Sequence, residues 1–193
     1  VRYYLDYFVQ LITPHGNLAD FGDSHWNGGW ERFVPVYEKA ATIYRNPVYK
    51  YVASELTRRA LERQGNAMGG GPVIGIGVGS AFTDAHRWAD DTIVARKPGG
   101  GSQEVLEDLI GKKFVFRNGW ERKSTMMLLN YRDEGDGGQL GRDYLRQTLS
   151  VEEEKMHHGH ADENSISLLM SGGSVLLHDG GDRKSTRLNS SHT

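Results

Sequence analysis

The hydrophobic period changes partway along this chain, and that change constrains the fold more than any other feature. In residues 3–12, Tyr4, Tyr7, Phe8, Leu11 and Ile12 recur at i, i+3, i+4, i+7 and i+8, the spacing of one apolar helix face. From residue 112 the spacing shortens to two. "KKFVFR" (112–117), "STMMLLNYR" (124–132), "SISLLM" (165–170) and "SVLLH" (174–178) read as strands, the last two closed by "SGG" into a hairpin. Helices first and strands afterwards predict an α+β chain whose layers are segregated along the sequence, not a run of alternating βαβ units.

The helical part divides further. Trp30, Phe33, Val34, Tyr37, Ala40, Ala41 and Tyr44 make a second stripe. Pro35 lies inside it, so either a kink or a start near Phe33 is expected. "RNP" supplies an N-cap at Asn46 and a first helical residue at Pro47, an arrangement suited to helix initiation. A third helix follows, with Val48, Tyr51, Val52 and Leu56 on one face and Gly65 as its stop. Such helices suggest a bundle or toroid. Many of the 25 glycines gather between residues 65 and 101, which reads as an interdomain connection. "GIGVG" (75–79) has G-x-G-x-G spacing and no βαβ context, so a flexible loop or glycine-tolerant strand is expected there in place of a dinucleotide site. A short helix is expected at Gln103–Leu109, before the strands.

A net charge of −2 gives no reason to expect nucleic-acid binding. No run of about 18 apolar residues is present, so no transmembrane helix is expected. Without cysteine, disulfides and thiolate metal sites are excluded. Neither end reads as a natural terminus. The chain opens at Val1 inside a helical pattern, and "DRKSTRLNSSH" (182–192) coincides with a translated frame of a common sequencing-library adapter. Residues 182–193 are therefore expected to be an artefactual tail and are set aside. The expected domains are 1–64, the end of a helical toroid; 65–111, a glycine-rich connection; and 112–181, the start of a β-sandwich.

The chemistry-bearing stretch is "HHGHADENSISLLMSGGSVLLHDGG" (157–181). In extended backbone His158 and His160 point to one face, with Asp162 next along and His157 turned away. Asp179 follows the second hairpin strand and can return to the same end. Two imidazoles and a carboxylate suit zinc, which needs a further ligand or water. The alternative is a solvated strand entrance in which His and Asp hydrogen-bond each other. "HGHADE" is also similar to the cupin pattern, though His160 and Glu163 are one residue too close and a cupin does not need the helical first third.

The stretch from Gly111 to Gly181 resembles the start of the C-terminal β-domain of the heparinase II/III-like polysaccharide lyases. That family has a strand ending in Arg, a second apolar strand, H-x-H-x-D, a hairpin turning on Gly, and Asp-x-Gly. Arg117, His158, His160, Asp162, Gly172 and Asp179 match in turn. "ITPHGNLADFGDSHWNGGWERFVPVYEKAATIYRNP" is similar to the family's toroid segment, but "SHW" stands where its catalytic Tyr is usual. The resemblance implies the end of an α/α toroid followed by an antiparallel β-sandwich. It also implies β-elimination on a uronic-acid-containing, acidic polysaccharide, and a periplasmic or secreted location. By position, His25 is a candidate base or acid and His158 a candidate proton-transfer or sugar-binding group. Trp26, Asp23 and Arg117 are candidate substrate contacts. His160 and Asp179 are candidate ligands of a bracing zinc whose third ligand, a His, would lie downstream. With the early toroid helices and half the sandwich missing, the chain is expected to be inactive by itself. A non-catalytic carbohydrate-binding member of the same fold is the alternative.

Overall fold

In the computed structural model the described residues are 1–19, 30–67, 76–99, 104–108, 113–131, 144, 147–148, 150 and 165–178. The chain divides into two compact units, one built from helices and the other from strands. The chain is thus mixed α+β with an antiparallel sheet.

The helical unit contains α1 (Arg2–Leu11), a 3₁₀ turn (Trp30–Phe33), α2 (Val34–Tyr44), α3 (Pro47–Ala67) and α4 (Ile76–Trp88). Helix α1 stops where "TPHG" closes a turn. The Thr13 amide donates to the Asn17 carbonyl at 2.7 Å, the Gly16 amide donates to the Thr13 carbonyl at 2.9 Å, and Gly16 has φ +79°. Pro35 sits at the first helical positions of α2, where its missing N–H costs nothing. The Trp30–Phe33 turn leads into it, so the helix starts near Phe33 and no interior kink is needed. Asn46 caps α3, its Oδ1 accepting the Val48 amide at 2.9 Å. Gly65 does not stop α3, which continues to Ala67. One glycine in the last turn costs only about 1 kcal/mol.

The core of this unit is formed by Leu5, Val9, Val34, Tyr37, Ala41, Tyr49, Val52, Ala53 and Leu56, all buried. It matches the expected α1 stripe at Leu11 and Ile12, both buried, and departs from it nearer the start of the helix. Leu5 and Val9 point inward, whereas Tyr4 stays 68% exposed. Helix α1 is apolar on two sides, and spacing alone cannot say which side meets the core.

Two expectations for the glycine-rich stretch are corrected. Residues 76–79 belong to α4, not to a loop or strand, and the helix expected at Gln103–Leu109 is replaced by strand β1 (Glu104–Asp108). β1 pairs along its whole length with β2, so sheet pairing overrides the local preference of "EVLED".

The sheet has the simplest order, β1-β2-β3-β4-β5, each strand antiparallel to the last. β2 is Lys113–Arg117, β3 Met126–Asn130, β4 Ser165–Ser171 and β5 Ser174–His178, close to the ranges expected from the period. Register sets Val115, Leu128 and Leu168 in one row and Arg117, Met126 and Met170 in the next. All six are buried. The opposite face carries Phe114, Phe116, Met127, Leu129, Ile166 and Leu169, which are half-buried or exposed. Gly172 and Gly173, at φ +61° and +86°, make the tight turn that "SGG" predicts.

Candidate functional site

Of the candidate site residues, Arg117 alone lies among the described residues. Asp23, His25, Trp26, His158, His160 and Asp179 lie outside them. Arg117 ends β2 opposite Met126 and is 5% exposed. Its guanidinium lies 3.7 Å from the centroid of the Trp120 ring, and Nη2 lies 3.6 Å from Met126 Sδ. A planar, weakly hydrated guanidinium is the cation best suited to such a stack. These contacts hold Arg117 against the β2–β3 loop.

The far end of the same strands is polar. Lys113 opposes Asn130, which opposes Ser165. Lys113 and Asn130 are buried, as is Ser167, at the register shift where Leu128 faces Leu168 and Leu129 faces Ile166. Such a bulge re-aims side chains locally. The chain bearing His158 and His160 joins β4 here at Ser165, and Asp179 directly follows His178 at the end of β5. β4 begins at Ser165 and β5, its neighbour, ends at His178, with Lys113 and Asn130 as buried polar residues in the rows beside Ser165. No period or spacing pointed to Lys113 or Asn130; only register reveals them. Tyr131, beside Asn130, stacks on Phe114 with ring centroids 4.9 Å apart, which makes it part of the apolar face. Among the described residues no group of three or more His, Asp or Glu could hold a metal ion.

The helical unit holds a second cluster. The Tyr49 hydroxyl donates to Asp6 Oδ1 at 2.5 Å, and the Tyr37 hydroxyl donates to the Leu5 carbonyl at 3.1 Å. Burial, then the hydrogen bond to Asp6 and the charge of that carboxylate, push Tyr49 up to about 12. Burial first, with Tyr49 and Asp6 adding, also raises Tyr37. Both phenols stay protonated at neutral pH, the reverse of what a tyrosine base needs. Their role here is to join α1 to α2 and α3. Asn17, buried at the end of the "TPHGN" turn, accepts the Thr13 hydroxyl at 2.5 Å.

A groove of about 510 Å³ runs between α1 and α2, lined by Val1, Tyr4, Leu5, Phe8, Leu18, Phe33, Val36 and Tyr37. Its lining is apolar, without the convergent polar groups that orient a sugar.

No protein-family model matches this chain, and no curated protein or solved structure matches it.

Proposed function

We propose that this chain is part of a polysaccharide lyase-like protein that performs β-elimination on a uronic-acid-containing polysaccharide. The observation that carries the reading is the order of the sheet. A strand ending in Arg117, an apolar strand, and a hairpin turning on Gly172 pair consecutively, the order that the resemblance implies. In the sequence His158 and His160 precede β4 and Asp179 follows β5.

Two features support the larger architecture. The sheet is apolar on both faces, which suits a layer of a sandwich. The groove beside α1 and α2 is apolar and helix-lined, which suits a further helix of a toroid.

In this reading a proton leaves the carbon beside the uronate carboxylate, and the 4-linked oxygen departs. The carbon is weakly acidic while the carboxylate keeps its charge, so a neutralising group, a base and an acid are required. His158, on the chain entering β4, moves a proton or holds the sugar. His25 fills the place of the usual catalytic Tyr, and Asp23, Trp26 and Arg117 contact substrate. Zinc would be held by His160 and Asp179 with a further His, and would brace the sandwich.

The test is a version extended through the source locus on both sides, assayed for unsaturated uronates by ultraviolet absorbance. Activity that falls at least about a hundredfold in His158→Ala supports the reading. Binding of uronate polymer without any product would favour the non-catalytic carbohydrate-binding role. Absence of both would sink the assignment.

A further inference from the structure

The β2–β3 loop opens on Asn118–Gly119, and its hydrogen bonds treat the two residues differently. The Asn118 amide donates to the Thr125 carbonyl at 3.2 Å, and the Thr125 amide donates back to Asn118 Oδ1 at 2.8 Å. Beyond the glycine, the Trp120 amide donates to Glu121 Oε2 at 3.2 Å and the Glu121 amide to Ser124 Oγ at 3.0 Å. The Gly119 amide lies between these engaged neighbours, and among the described residues nothing accepts its N–H. Among the same residues nothing hydrogen-bonds Asn118 Nδ2, and Asn118 is exposed.

The fold calls for glycine at this place. A Cβ on Gly119 would lie 2.7 Å from Ser124 Oγ and 2.8 Å from Glu121 Oε2, so a side chain enters only by displacing both. Those two groups are joined by a 3.3 Å hydrogen bond across the turn. Without a side chain, nothing on residue 119 shields its nitrogen from the side-chain carbonyl carbon of the preceding asparagine.

We propose that Asn118–Gly119 is a site of self-modification through a cyclic imide, with water as the second reactant. The Gly119 nitrogen loses its proton to solvent base and attacks Asn118 Cγ, forming a new C–N bond. The bond from Cγ to Nδ2 then breaks, and ammonia leaves with a proton from solvent. Water opens the ring at either carbonyl, giving an aspartyl or an isoaspartyl residue. No oxidant or reductant is needed. The loop favours the first step. The attacking N–H has no acceptor to give up among the described residues. The oxygen that takes up negative charge is Asn118 Oδ1, which already holds a backbone donor at 2.8 Å, the arrangement that stabilises an oxyanion. Either product places a carboxylate where the loop leaves β2, and the isoaspartyl form also adds a main-chain carbon. The loop is fastened to the β4–β5 turn by the Gly172 amide donating to the Lys123 carbonyl at 3.2 Å and by a 2.8 Å hydrogen bond between the Thr125 and Ser171 hydroxyls. A longer backbone at its base therefore disturbs the contact between the two turns.

The test is incubation of the full chain at mildly alkaline pH, followed by peptide mass spectrometry and isoaspartate detection at Asn118. The native chain is compared with the same chain unfolded in guanidinium. Asn27–Gly28, the same dipeptide elsewhere in the sequence, reports that the unfolded sample reacts. The expected result is conversion of Asn118 in the native chain at least as fast as in the unfolded one, with an isoaspartyl fraction and a rate that rises with pH. Gly119→Ala should slow the conversion severalfold. The comparison of native and unfolded parent stands even if that variant does not fold. Slower conversion in the native chain overturns the proposal, since the loop then protects the site. So does conversion to aspartate alone, which is direct hydrolysis without the ring.

Discussion

Tyr49 shows how one side chain sets a pH limit on the helical unit. Its phenol is buried and donates to Asp6, so ionisation inside the fold is disfavoured relative to the unfolded chain. A raised folded pKa gives stability that is complete below the ordinary value of 10 and lost as pH climbs through about 12. Alkaline unfolding followed by circular dichroism should therefore fall across that window, and Tyr49→Phe should flatten the fall. If the variant and the parent lose structure in parallel, the hydrogen bond to Asp6 is not what sets the limit. Gly16 makes a sharper claim about sterics. Its φ of +79° and the approach of a Cβ to 2.8 Å from the Glu55 carbonyl oxygen and 2.9 Å from Arg58 Nη2 leave no room for a side chain. Gly16→Ala should cost about 1–3 kcal/mol in urea denaturation; a neutral result would mean that the turn does not pack on α3.

At the scale of elements, capping and strand rows carry the argument. Asn46 satisfies an amide that the first turn of α3 leaves without a helical acceptor. Asn46→Ala should lower stability by about 1 kcal/mol, and Asn46→Ser by much less. In the sheet, Leu128 is fully buried in a row with Val115 and Leu168. Leu128→Ala should cost about 2–5 kcal/mol, whereas Phe116→Ala on the half-open face should cost less. Differential scanning of the two variants checks the order. The reverse order would mean that the apolar face carrying Phe114 and Phe116 is the better covered one.

The α+β character of the whole molecule was legible because helical and strand periods occupy different parts of the chain. What escaped was local. "EVLED" reads locally as helix and becomes a strand by pairing with β2. The residues after Gly75 look like a loop by composition, yet Ala81 and Ala85 are buried on α4. Of the candidate site, His158, His160 and Asp179 are conspicuous as residue types and spacing, and they lie outside the described residues. Lys113 and Asn130 were not conspicuous, because a lysine and an asparagine within strands carry no spacing signal. At this scale the tail is testable too. Deleting residues 182–193 should leave thermal unfolding unchanged; a lower melting temperature would show that the segment belongs to the fold.

The sequence by itself determined the α+β class, the order of helices before strands, the hairpin on Gly172–Gly173 and the cap at Asn46. Each of these depends on residues close together in the chain, through backbone freedom, capping chemistry and side-chain period. Tertiary structure alone decided that α1 turns Leu5 and Val9 inward, that residues 104–108 extend the sheet, and that Arg117 stacks on Trp120. It also decided that Lys113 and Asn130 are buried in neighbouring strands beside Ser165. Those outcomes depend on which apolar side finds a partner and on strand register, and both are set by contacts between residues far apart in sequence.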